Sequence, residues 1–147
     1  MELDKVHLSD ALAKLLPLQF PAGGRTQLRI ETDGPPRSLP ALVEHHLLRI
    51  GQEAVANAVR HAGAGQILVR MRYGEQEAEL EVTDNGCGFD AVKATAVASG
   101  HFGLLGLRER ANKLQGRLRI ESRPGTGTLV SVTLPLNTDQ FHEKKQD

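Results

Sequence analysis

The sequence predicts an α/β domain of the α+β kind, one globular unit in which helices are interspersed with β-hairpins. Three observations carry this. The 147 residues suffice for one hydrophobic core and leave no room for a second of similar size. Hydrophobic residues make up 39% and charged residues 24%, a globular balance, and with aromatics at only 3% the core must be built from Leu, Ile, Val and Ala. Finally, stretches of helical periodicity take turns with stretches of strict two-residue alternation.

Ser9 is placed to cap a short helix running to about Leu16, with Leu8, Leu12 and Leu15 on one side, and Pro17 and Pro21 disrupt it. Gln27 to Thr32 alternates with Leu28 and Ile30 on one face, the pattern of a strand, and Asp33-Gly34-Pro35-Pro36 turns the chain. Leu39 to Ala62 reads as one long helix with Pro40 in its first turn, where a missing N–H leaves nothing unpaired, and Gly63 to Gly65 ends it. Gln66 to Tyr73 and Glu77 to Thr83 form a hairpin around Gly74. Ala91 to His101 is small and apolar, as expected of a mobile loop or short helix. Gly103 to Leu114 is helical, with Leu104, Leu107, Ala111 and Leu114 at helical spacing. Arg117 to Ser122 and Leu129 to Leu136 make a second hairpin across Pro124 to Thr128. The domain is thus expected over residues 1–136, followed by a polar tail at 137–147 that should fray.

Charge excludes several function classes. Lys plus Arg number 18 and Asp plus Glu number 18, so there is no positive excess for coating nucleic acid or an anionic membrane. The single cysteine, Cys87, excludes an internal disulfide framework, suits a reducing compartment and reads as a small filler of its turn. No apolar run approaches the roughly 18 residues needed to span a bilayer, and the N-terminus lacks the pattern of a secretory signal. The expectation is a soluble, intracellular-type domain with no direct membrane contact. The run Arg108, Arg110, Lys113, Arg117, Arg119 and Arg123, broken by Glu109 and Glu121, reads mainly as a solvated face. His45 and His46 are adjacent, so they point to different sides of the helix and make a poor metal pair.

Four segments can carry chemistry. On the largely apolar long helix, Glu53, Asn57, Arg60 and His61 share one face. Two readings stand. One is a surface stripe with an Arg49–Glu53–Asn57 ladder. The other is a wet pocket where a carboxylate and an amide oxygen hold a hard cation while Arg60 and His61 meet an anion, a set that would suit magnesium beside phosphates. The second segment, Val82-Thr83-Asp84-Asn85-Gly86-Cys87-Gly88-Phe89-Asp90, ends a strand in an acid and two glycines. It is either an ordinary turn or a place where backbone closely approaches a flat ligand and Asp84 accepts from an exocyclic amine. The third, Gly100 to Arg108, leads glycines into a helix whose free N–H groups can receive an anion. The fourth, Gly125-Thr126-Gly127-Thr128, is a hairpin turn that also offers the Thr128 hydroxyl.

In this order the four segments resemble the GHKL superfamily, which groups DNA gyrase, MutL mismatch-repair proteins, heat-shock chaperones and histidine kinases. "RIGQEAVANAVRHAGA", "DNGCGFD", "GLLGLRERANKLQGRLRIES" and "GTGTLVSVTLPL" look like the catalytic domain of bacterial two-component sensor kinases of the nitrate-sensor (NarL-partner) class, over about Leu39 to Leu136. The resemblance implies a Bergerat-type two-layer sandwich, a mixed sheet with helices on one face and ATP between them. By motif, Asp84 matches the acid that reads the adenine amine, Gly86 and Gly88 the turn beneath the base, and Thr128 a residue near adenine. Asn57 matches the Mg2+ ligand, with Glu53 as a second candidate; Glu53 also matches the acid that positions water in hydrolysing relatives. Arg60 and His61 match residues that reach the phosphates, and Gly103, Leu104 and Gly106 the lid and phosphate cradle.

The implied activity is transfer of the γ-phosphate of ATP to a histidine on a separate dimerisation domain. A response regulator would act downstream, and the parent kinase would be a homodimer, cytoplasmic or anchored in the inner membrane. Glu2-Leu3-Asp4 lacks the acceptor histidine of such kinases, so the chain is expected to be the ATP-binding part of a larger protein. The alternatives are a GHKL ATPase that hydrolyses ATP to drive conformational change and an anti-sigma-factor-type serine kinase.

Overall fold

Among the described residues, alternation of aliphatic and polar residues makes five strands, with three α-helices before and between them. The computed structural model describes residues 8–20, 24–59, 65–88 and 104–136. In order they form α1 (Leu8–Leu15), a 3-10 turn (Leu16–Gln19), β1 (Gln27–Asp33), α2 (Ala41–Asn57), β2 (Gln66–Tyr73), β3 (Glu77–Asp84), α3 (Leu104–Lys113), β4 (Arg117–Arg123) and β5 (Gly127–Pro135). The sheet order is β1-β2-β3-β5-β4. β1 runs parallel to β2, and every other pairing is antiparallel, so the sheet is mixed.

Register shows how the two faces differ. On one face lie the rows Ile30–Val69–Val82–Val130–Ile120 and Thr32–Met71–Leu80–Val132–Leu118. The aliphatic and Met side chains of these rows join Leu8, Leu12 and Leu16, then Val43, Leu47, Ile50 and Val55 of α2, then Leu107 and Ala111 of α3, in one core. All three helices therefore bury their apolar stripes against the same side of the sheet. The other face carries rows of opposite charge. Arg70 lies 3.4 Å from Glu31, 3.7 Å from Asp33 and 3.9 Å from Glu81, and Arg72 lies 3.1 Å from Glu79. No helix among the described residues is long and apolar enough to cross a membrane.

The hairpin of β2 and β3 falls where alternation puts it, extended by Asp84. Other boundaries move. Ser9 lies inside α1 rather than capping it, because Leu8 is already helical and buried. The long helix begins after Pro40, whose extended backbone (ψ 143) makes it the N-cap residue instead of part of the first turn. Its α-helical part stops at Asn57, with 58–59 in the wider π form, and residues 60–62 lie outside the described ones. β1 and β4 each run one residue further, to Asp33 and Arg123. β5 starts at Gly127, not Leu129, so Thr128 is a strand residue. The loop expected at Ala91 to His101 and the tail at 137–147 also lie outside the described residues.

Candidate functional site

The core face of the sheet changes character at one end. Beyond the row of Val82, Val130 and Ile120, the next cross-strand positions are Asp84, Thr128 and Ser122, on β3, β5 and β4. Cross-strand partners share a face, so a polar row closes the apolar surface. Thr128 Oγ1 and Ser122 Oγ are 2.8 Å apart, and Ser122 also donates to the Gly127 carbonyl at 3.1 Å. One carboxylate oxygen of Asp84 accepts the Gly86 N–H at 2.7 Å. Burial pushes the Asp84 carboxyl above the ordinary aspartate value, while the N–H groups of Gly86 and Thr128 partly offset that rise. A cleft of about 670 Å³ opens along Asp84, Ser122 and Thr128.

Two glycines make this end possible. Gly127 has φ +88°, and a Cβ there would run into the Asp84 carbonyl. Gly88 has φ +68°, and a Cβ there would strike the Arg123 carbonyl. The turn is also clasped from the β2 side. Asn85 Oδ1 accepts N–H bonds from Gly65 at 2.9 Å and Gln66 at 2.8 Å, tying the end of β3 to the start of β2.

The second part of the site lies between α2 and α3. Glu53 and Asn57 stand one helical turn apart on α2. Glu53 forms its ion pair with Arg110 of α3, Nε to Oε1 at 3.1 Å, rather than with Arg49 as the ladder reading required. Gly106 faces the other oxygen, since a Cβ on it would sit 2.9 Å from Glu53 Oε2. Arg110 therefore leaves the solvated basic run in which its sequence neighbours placed it. Its Nη1 lies 3.3 Å from Nδ1 of buried His46. Desolvation, then the charge of Arg110, then those of His45 and Lys113, hold His46 below the usual imidazole value.

Of the residues singled out from sequence, the fold thus groups Asp84, Gly86 and Thr128, and separately Glu53 with Gly106. Gly88 supports the first group from the neighbouring turn. Leu104 opens α3, while Arg60, His61 and Gly103 lie outside the described residues. Among the described residues no group of three His, Cys, Asp or Glu could hold a metal ion. Sequence reasoning missed Ser122, Arg110 and the clasp by Asn85. Counting outward from a three-residue turn, Pro124 to Thr126, would have paired Ser122 with Thr128. Arg110, three residues after Leu107, borders the buried side of its helix.

A family model described as Histidine kinase-, DNA gyrase B-, and HSP90-like ATPase matches residues 42–138, which contain both halves of this site. The chain belongs to this ATPase family. Among its relatives, the nitrate/nitrite sensor protein NarX of Escherichia coli K12 is 37% identical over 106 residues, 72% of this chain and 17% of NarX. The signal transduction histidine-protein kinase/phosphatase DegS of Bacillus subtilis is 33% identical over 139 residues, 93% of this chain and 36% of DegS. The chain therefore spans a minor part of the curated relatives it matches. The histidine kinase domain of the Erythrobacter litoralis EL346 blue-light activated kinase shares the fold, with a TM-score of 0.69 at 19% identity, covering 92% of this chain and 63% of that one.

Proposed function

We propose that this chain is the ATP-binding catalytic domain of a sensor histidine kinase, and that the polar row Asp84–Thr128–Ser122 at the end of the apolar sheet face supports that reading best. A purine ring needs an apolar surface for its faces and a few fixed polar atoms for its edge. Asp84, with one oxygen bound to Gly86, keeps acceptor capacity for an exocyclic amine, and Thr128 stands beside it. Gly86 and Gly88 bring the turn close to the base. Asn57 would hold Mg2+ beside the phosphates, with Glu53 one turn away as a second oxygen source. Magnesium needs no all-protein cage, because it keeps waters and substrate phosphates as most of its ligands. By their match to the family motifs, Arg60, His61, Gly103, Leu104 and Gly106 would serve the phosphates.

Such a site works by positioning and charge neutralisation. The imidazole nitrogen of a histidine on a separate dimerisation domain attacks the γ-phosphorus. An N–P bond forms, the bridging P–O bond breaks, and ADP leaves. The phosphoryl group then passes to a response regulator in two-component signalling. The parent protein is a homodimer that carries this domain in the cytoplasm, free or below an inner-membrane anchor.

The test supplies an acceptor-helix domain, ATP and magnesium to this chain. Asn57→Ala should lower phosphotransfer by at least about a hundredfold, in the range for losing one preorganised electrostatic group. Undiminished transfer by that variant would remove Asn57 from the metal site. Steady ATP hydrolysis by the chain alone, lost in Glu53→Gln, would instead favour the hydrolytic reading.

A further inference from the structure

The contact between Glu53 and Arg110 joins side chains 57 residues apart in sequence and holds two helices that both reach the site. The guanidinium is gripped twice, by Glu53 through Nε and by His46 through Nη1. Arginine can only donate, so His46 Nδ1 accepts, and its imidazole is the neutral tautomer protonated at Nε2. A planar fork fixed at two points has little rotational freedom. The carboxylate is equally confined: one oxygen meets Arg110, and the backbone of α3 at Gly106 closes on the other. Both charged side chains are only about a quarter exposed, 25% for Arg110 and 28% for Glu53, so solvent cannot readily replace either partner. One turn beyond Glu53 stands Asn57.

We propose that Arg110 is a positioning residue for the triphosphate end of the nucleotide site: through Glu53 it fixes how α3 seats against the turn of α2 that carries Asn57. It acts on the reaction without touching the reacting groups. This inference rests on the nucleotide reading above. It predicts that the phosphate end and the base end respond differently. Asp84 and Thr128 are held by β3, β5 and the Asn85 clasp, none of which involves Arg110.

Calorimetric titration of this chain with a magnesium complex of a non-hydrolysable ATP analogue, and separately with adenosine, tests it. The variants are Glu53→Gln, Arg110→Gln, the double variant and Arg110→Lys. Each single Gln variant should bind the magnesium analogue about tenfold more weakly, and the double variant no worse than about twofold below the weaker single, because residues acting as one unit are not additive. Adenosine affinity should stay within about twofold, and Arg110→Lys should recover part of the loss by keeping the charge but not the fork. The inference is overturned if Arg110→Gln binds the analogue as the parent does. It is equally overturned if adenosine affinity falls in parallel, or if the two losses multiply in the double variant. If the parent chain binds neither ligand, the nucleotide reading itself fails and takes this inference with it.

Discussion

The two faces of the sheet are made from the same strands yet held by different physics. Toward the helices, Val69, Met71, Leu80, Val82, Val132 and Leu134 are almost fully buried. Away from them, Arg70 and Arg72 of β2 face Glu81 and Glu79 of β3 with opposite sign and stay partly wet. The buried face gains from removing apolar area from water, while the wet face gains little from each pair, because solvent competes for both charges. The lesson is that the site's polar row is costly where it stands. Asp84, Thr128 and Ser122 occupy positions whose neighbours one row inward are aliphatic, and they hold together through hydrogen bonds among themselves and the surrounding backbone.

The comparison breaks most visibly at the centre of the buried face. Leu80→Ala, at 1% exposure, should destabilise the chain by about 2–5 kcal/mol, measured by urea unfolding. A loss below about 1 kcal/mol there would mean that the helices do not seal that face.

An intermediate effect comes from the imidazole inside the helix layer. His46 sits below its ordinary value of 6.5 when folded, so between that lowered value and 6.5 the unfolded chain binds more protons. Stability should be fully present above about pH 6.5 and decline as pH falls through the folded value. Protonation would place a cation against Arg110, with His45 and Lys113 adding repulsion. Unfolding midpoints taken from pH 8 to pH 5 should show this decline, and His46→Gln should flatten it.

The smallest effect is expected on the wet face. Arg70→Gln, despite three acidic neighbours, should cost no more than about 1 kcal/mol, and the difference from the parent should shrink in high salt. A larger, salt-insensitive loss would show that the ion-pair face behaves like a second core.

Strands were legible in the sequence because period-two alternation is a local signal. Gln66 to Tyr73 needed no correction at either end. Asp84 and Thr128 were legible as polar residues at strand ends, but their pairing across β3 and β5 depends on sheet order, which no local pattern contains. Glu53 was visible as a charge on an apolar helix, and its partner was not. Arg49 stood at the right helical spacing, whereas Arg110 became a neighbour only once α3 had packed on α2. The change of helix type past Asn57 was not legible, because aliphatic periodicity does not distinguish an α turn from the wider π turn at 58–59, and the expected end at Ala62 lies outside the described residues.

Of the pairings in this sheet, β1 with β2 is the parallel one, and parallel neighbours must be linked by a crossover. The segment containing α2 supplies that link, so the helix bearing Glu53 and Asn57 is also what keeps an edge strand in place. Loosening the helix would free β1 and bare the flank of β2, where Ile67, Val69 and Met71 alternate along a backbone whose hydrogen-bonding groups β1 now pairs. Loss of the proposed phosphotransfer through changes in this region should therefore arrive together with clumping of the purified material, and yield in the clear supernatant becomes an early warning of a badly seated helix.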